Sequence, residues 1–188
     1  MMNRKFGKRI TAALFAVLMV LSLAACGPKE QTPAESGSTP MDGSAVQTMD
    51  TLTMDVFKDY DLTLVNLFAT WCTPCVREIP ELNQLKKDMA DKNVNVIGVC
   101  LDAVDPYGNP IPENIAIAYD LKARTGAEYN FYQPDFDLFG GRMMQVTAVP
   151  ETFFVDREGN VVGMTWMGAR DLAGWTKVVE GTLAALEA

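Results

Sequence analysis

The sequence contains no histidine among its 188 residues. That absence removes the usual general base, a common zinc ligand and every Ser-His or Cys-His arrangement at once. Whatever chemistry occurs must run on sulfur, carboxylates or backbone. Basic residues are also scarce: sixteen Lys and Arg stand against twenty-four Asp and Glu, a net charge of -8. The overall count therefore gives a nucleic-acid partner no electrostatic footing. Cysteine is limited to four residues. A Cys-x-x-Cys metal site normally draws on a second pair or on histidines, and neither is here, so no metal site is expected. No repeat or second domain is visible, and the length leaves room for one full domain and little else.

The first twenty-five residues read as a segment outside the fold. Arg4, Lys5, Lys8 and Arg9 form a positive n-region, and Ile10 to Leu21 is an apolar stretch. That stretch is too short to cross a hydrocarbon core of roughly 30 Å comfortably. Leu23-Ala24-Ala25-Cys26 resembles the bacterial lipobox, in which cleavage before the cysteine leaves it as a diacylated N-terminus. An ordinary secretory peptide or a retained anchor is the alternative. The expected organisation is a lipoprotein signal peptide over 1–25, a lipidated Cys26 with a flexible tether over 26–44, and a folded domain over 45–188. Acyl chains on Cys26 would hold the domain on a membrane durably. The tether reading rests on Pro28, Pro33, Pro40, Gly37 and Gly43 among Ser, Thr and Glu, with almost nothing to bury. Without the four basic residues of the leader, twelve remain against twenty-four acidic, which makes the domain strongly acidic.

From about residue 50 the hydrophobic pattern becomes regular. A short strand is expected around Ala45 to Met49, a single helical turn over Asp55 to Tyr60, and a buried central strand over Leu62 to Ala69. Glu78, Ile79, Leu82, Leu85, Lys86 and Met89 follow at three-to-four residue spacing, giving an amphipathic helix to about Ala90 that Pro80 should kink. A second buried strand over Val94 to Leu101, a helix within Ile111 to Gly126 and a short strand over Phe131 to Pro134 come next. Ala148 to Asp156 and Val161 to Met167 read as strands joined by the Arg157-Glu158-Gly159-Asn160 turn, and Leu172 to Leu186 as a closing helix. This order predicts an α/β fold with a central mixed β-sheet flanked by helices on both faces.

Trp71-Cys72-Thr73-Pro74-Cys75 sits between the central strand and the first long helix. A structural disulfide there would close a very small loop, which limits the chain-entropy gain, so a redox pair is the stronger reading. Cys72 falls at the helix start, where free amides and the helix dipole stabilise a thiolate. Its pKa is expected below the roughly 8.5 of a free thiol. Cys75, one turn further in, is shielded by its own helix and would resolve a mixed disulfide formed on Cys72. Trp71 is open to two readings, an exposed apolar platform for a partner chain or a core tryptophan. Cys100 ends a buried strand and reads as a small apolar filler. Tyr129, Phe131, Tyr132, Phe136 and Phe139 show no clear period and read as core ahead of a client-facing surface.

Phe68-Ala69-Thr70-Trp71-Cys72-Thr73-Pro74-Cys75, taken with Ala148-Val149-Pro150-Glu151-Thr152-Phe153-Phe154-Val155-Asp156, resembles the thioredoxin-like TlpA and ResA group of membrane-tethered thiol-disulfide reductases, over roughly residues 45 to 187. The resemblance implies a thioredoxin-like fold and a cis proline at Pro150. It also implies that Val149 pairs edge-to-edge with the client's cysteine segment. Glu78 matches a glutamate of the family's reductases that tunes the thiols and assists proton transfer. A helix-terminal charge favoured by the dipole is the equal alternative for Glu78. Trp71, Thr73, Pro74, Val149, Glu151 and Asp102 are the client-facing candidates. Glu151 departs from the small or hydroxyl residue of relatives, and is either solvent exposed or a bias toward basic client surfaces. Thr73-Pro74 stands where thioredoxin has Gly-Pro.

The reading that follows is a monomeric, lipid-anchored thiol-disulfide oxidoreductase on the extracytoplasmic face of the bacterial cell membrane. It would reduce disulfides in exported proteins, such as apocytochrome c or methionine sulfoxide reductase, without a cofactor. The family implies re-reduction by a membrane electron donor resembling CcdA. A disulfide-introducing oxidase using the same cysteines, a thiol peroxidase, and a non-catalytic lipoprotein binding module or metallochaperone are the alternatives.

Overall fold

Alternating side chains on Leu62–Phe68 (β1) explain the centre of the molecule. Leu62, Leu64 and Phe68 enter one core cluster, while Val65 and Leu67 enter another. A strand apolar on both faces must lie between two packed layers. The computed structural model describes residues 47–187, all within one compact unit, Gly43–Ala188. The expected signal peptide, Cys26 and the whole of the tether region lie outside the described residues.

After β1 come Thr73–Asp88 (α1), Val94–Cys100 (β2), Pro112–Thr125 (α2), Asn130–Tyr132 (β3), Glu151–Asp156 (β4), Val161–Met167 (β5) and Leu172–Leu186 (α3). The sheet order is β3-β2-β1-β4-β5; β1, β2 and β3 run parallel, and β4 pairs antiparallel with both β1 and β5. The first core face packs α1, α2 and α3 onto the sheet through residues such as Ile79, Leu82, Ala118 and Trp175. The second face is covered by 3-10 helical segments at Met54–Val56 and Leu138–Gln145 together with Leu52 and Phe57. This is the thioredoxin-like arrangement, a mixed sheet flanked by helices on both faces. Among the described residues no helix is long and apolar enough to cross a membrane.

Several boundaries differ from the sequence-based expectation, each for a local reason. Residues 47–50 form no strand; Met49 and Leu52 are both buried, a spacing of three that does not alternate, and the chain meets the sheet only through a Thr51–Gln133 bridge. β4 begins at Glu151 and not at Ala148, because Pro150 has no amide to give to a ladder. α1 continues through Pro80 to Asp88 and is followed by a 3-10 turn over Ala90–Lys92. Gly98 in β2 has a packing reason: a Cβ there would sit 2.9 Å from Phe131 Cδ1 and 3.1 Å from Phe68 Cε1. Its absence lets those two rings approach to 4.8 Å between centroids. Tyr129 and Phe131 are core residues, and Tyr132, Phe136 and Phe139 pack part-buried on the second cluster.

Candidate active site

The turn out of β1 delivers the cysteine pair to the start of α1. Cys72 is the N-cap residue, with Thr73 and Pro74 opening the helix, and the Cys75 amide donates to Cys72 Sγ at 3.2 Å. Proline suits this place because its missing N–H would have had no helical partner. Cys72 and Cys75 are joined as a disulfide. Both are almost fully buried, while Trp71 beside them is 74% exposed and Thr73 and Pro74 are open to solvent. The core reading of Trp71 is thereby excluded.

The Val149–Pro150 peptide is cis, and the Val149 carbonyl oxygen lies 3.6 Å from Cys72 Sγ. A disulfide sulfur carries no proton, so this is a contact; in the dithiol the same spacing lets the Cys72 thiol donate. Pro150 in turn accepts a hydrogen bond from the Gly168 amide at 2.9 Å. The second motif of the sequence is thus brought against the first across the strand order.

Beneath the disulfide lies a polar cluster sealed in the core. Cys75, Glu78, Ile79, Leu82 and Leu85 form the buried face of α1. Glu78 is 2% exposed, and its carboxylate accepts from the Arg170 amide at 2.7 Å, Trp175 Nε1 at 2.7 Å and Asn66 Nδ2 at 3.1 Å. Asn66 also donates to Thr152 Oγ1 at 3.0 Å, tying β1 to β4. Burial raises the pKa of Glu78 above the ordinary 4.5, against the opposing pull of the hydrogen bonds from Arg170, Trp175 and Asn66. The surface helix-charge reading of Glu78 fails: it points inward, and α1 has no acidic residue in its first turn. Arg170 holds this cluster from outside, its guanidinium 4.7 Å from the Trp166 ring and 5.2 Å from the Trp175 ring.

Asp102 follows β2 and braces the turn that carries Trp71. Its carboxylate accepts from the Thr70 amide at 3.0 Å and the Thr70 hydroxyl at 2.6 Å. It also accepts from the Cys100 thiol at 3.2 Å. Burial, with the Asp102 charge beside it, pushes the Cys100 thiol well up from its usual range. A buried neutral thiol fits the filler reading. Asp102 also lines a groove of about 460 Å³ beside the disulfide, with Trp71, Leu101, Met143, Met144 and Val149 among its walls.

Glu151 is a correction. Expected to be solvent exposed or to face a client, it is 9% exposed and paired with Arg142 Nη2 at 2.9 Å. It sits on the second core face with Phe153 and Val155, where an unpaired charge would be costly, and Arg142 supplies the partner. Asn66, Thr152 and Arg170 around Glu78, and Arg142 beside Glu151, are residues that the sequence reading did not nominate. Asn66 had a signal, an amide side chain in the middle of a buried strand whose other polar residue is Thr63. Among the described residues no group of His, Cys, Asp and Glu is set to hold a metal ion.

The model of the AhpC/TSA family matches residues 41–164, well over half of the chain. The chain belongs to the AhpC/TSA family. Relatives carry names from thiol-disulfide exchange. The thiol-disulfide oxidoreductase ResA of Bacillus thuringiensis is 26% identical over 127 residues, 66% of this chain and 61% of that protein. A thiol:disulfide interchange protein DsbE homologue of Paracoccus denitrificans is 28% identical over 114 residues, 59% of this chain and 54% of that protein. The matched stretch thus spans less than two thirds of these relatives' length. Among solved structures, a thiol:disulfide interchange protein of the thioredoxin family from Chlorobium tepidum is similar at 26% identity. It has a TM-score of 0.54 and covers 70% of this chain and 86% of that one.

Proposed function

We propose that this protein is a thiol-disulfide oxidoreductase that works as a reductant of disulfides in exported proteins. The observation that carries the reading is the placement of Cys72, N-capping α1 with its sulfur against the Val149 carbonyl and an apolar groove alongside. The relatives named for disulfide interchange support the same chemistry.

In the dithiol form, the Cys72 thiolate attacks one sulfur of a client disulfide. The client S–S bond breaks, a mixed disulfide forms, and the departing client sulfur takes a proton. Cys75 then loses its proton and attacks Cys72, closing the Cys72–Cys75 disulfide and releasing the second client thiol. Two electrons pass from the protein to the client. Helix amides at the α1 N-terminus stabilise the Cys72 thiolate. Glu78, one turn beyond Cys75 on the same helix face, takes up the Cys75 proton directly or through an intervening water. Trp71, Thr73, Pro74 and Val149 receive the client segment, and Asp102 fixes the turn beneath Trp71.

The lipobox-like sequence ending at Cys26 supports anchoring on the extracytoplasmic face of the membrane. A membrane donor resembling CcdA would return the protein to the dithiol, and apocytochrome c or methionine sulfoxide reductase are the proposed client types. The test is to mix the reduced protein with a peptide holding one intramolecular disulfide. The expected result is one client disulfide reduced per Cys72–Cys75 pair oxidised; no electron transfer would overturn the reading. In cells, Cys26→Ser should move the protein from the membrane fraction to the soluble one.

A further inference from the structure

The chain between Arg142 and Glu151 carries one wall of the groove beside Cys72, through Met143, Met144, Val146, Ala148 and Val149. Its backbone is irregular: Phe139, Gly140 and Gly141 just before it all have positive φ, and Val149–Pro150 at its far end is cis. Residues 142–145 lie in a 3-10 turn, but residues 146–150 belong to no helix or strand, so no backbone ladder fixes the Val149 end of the segment.

Arg142 and Glu151 stand at its two ends and meet. Arg142 Nη2 donates to Glu151 Oε1 at 2.9 Å and to Thr165 Oγ1 on β5 at 2.6 Å. The guanidinium lies 4.6 Å from the centre of the Phe153 ring. Of the six ion pairs among the described residues, the other five have both side chains at least 44% exposed, whereas Arg142 and Glu151 are 26% and 11% exposed. Arg142 Nε is buried without a partner, so the side chain accepts an unsatisfied donor to hold this geometry. A half-buried contact of this kind, with one guanidinium nitrogen shared by two oxygens, is worth more as a constraint than a solvated surface pair.

We infer that the Arg142–Glu151 pair is a clasp that closes the segment into a rigid loop and sets the position of the Val149 carbonyl and the groove wall against Cys72. Arg142 and Glu151 are positioning residues: neither reaches the sulfurs, and both act through the loop they close. The clasp also explains why a carboxylate occupies the position directly after the cis proline. The inference rests on the proposed reductase reading for its consequence, although not for its geometry.

The test uses R142A, R142K and E151Q in the full chain with two readouts. Amide hydrogen exchange over residues 143–149 should speed up at least about tenfold in R142A and E151Q, with β1 and α1 unchanged. The rate at which the reduced protein attacks a peptide disulfide should fall by at least about tenfold, while reduction of its own disulfide by dithiothreitol, which needs no groove, stays within about twofold. R142K keeps the charge but not the planar guanidinium over Phe153 and should fall between. Unchanged exchange in the loop, or peptide and dithiothreitol rates falling together, would overturn the clasp. If R142A does not fold, R142K and E151Q carry the same comparison. Faster loop exchange in the variants, alongside a wild-type protein that reduces no peptide disulfide, would count for the clasp and against the reductase reading.

Discussion

Cys75→Ser is expected to stall the protein as a covalent adduct with its clients through Cys72, and to lower turnover with protein disulfides by more than about a thousandfold. In the intact pair, Cys75 attacks the mixed disulfide from one helical turn away, so the step is intramolecular and worth a very high effective concentration. Thiols in solution replace it only at millimolar levels. Their positions support these proposed roles. Cys72 is the helix N-cap, receives the Cys75 amide and faces Val149, while Cys75 belongs to the buried face of α1. Cys72→Ser should therefore yield no adducts. The check is non-reducing electrophoresis and mass spectrometry of each variant after exposure to disulfide-containing protein. Adducts of equal yield in both variants would reverse or erase the assignment. Loss of thermal stability in both, with adducts in neither, would make the disulfide structural.

Replacement of Glu78 should produce the second large effect, on stability and on turnover together. Glu78→Leu leaves the Arg170 amide, Trp175 Nε1 and one of the two Asn66 Nδ2 protons without an acceptor in the core. Unsatisfied buried donors of this kind cost about 3 kcal/mol or more in sum, a fall in Tm of roughly 6–12 °C for a domain of this size. Glu78→Gln keeps an acceptor and removes the ionisation. Because burial holds the folded-state pKa above the ordinary 4.5, the folded protein binds this proton more tightly than the unfolded chain. The stabilisation is complete below the unfolded value and is lost as pH rises through the folded one. Thermal unfolding followed upward from about pH 4 should thus show E78Q gaining on the wild type until the folded-state pKa is passed and then running parallel to it with the gain retained. If Glu78 also receives the Cys75 proton, E78Q should slow peptide-disulfide reduction by about a hundredfold. Turnover equal to the wild type would leave the carboxylate with a structural role alone.

Much of this architecture is legible along the chain because the signals are local. Alternation in β1 and the three-to-four residue spacing in α1 and α3 follow directly from strand and helix geometry, and the observed limits of α3, Leu172–Leu186, coincide with the expected ones. The motif around Cys72 is local as well, since a strand end, two thiols and a proline at a helix start suffice to define it. What could not be read is whatever depends on distant pairing. Glu151 looks like a surface charge until Arg142 is placed beside it, nine residues upstream and on the far side of an irregular loop. The 3-10 segment Leu138–Gln145 escaped for the same reason: Phe139, Gly140 and Gly141 break any period, and the aromatic residues there find their places only against the second face of the sheet. Glu78 was legible as a candidate, but its inward orientation depends on Asn66 from β1 and Trp175 from α3 meeting it in the core.

A reductant and an oxidant built on this fold would share almost every contact described above, and they differ in the free energy of the Cys72–Cys75 disulfide. The decisive measurement is therefore the equilibrium reduction potential of that pair, titrated against defined thiol buffers. The account predicts a value near or below roughly -230 mV, low enough for the dithiol to reduce client disulfides when fed by a membrane donor. A value near roughly -120 mV would contradict it and make the protein a disulfide-introducing oxidase.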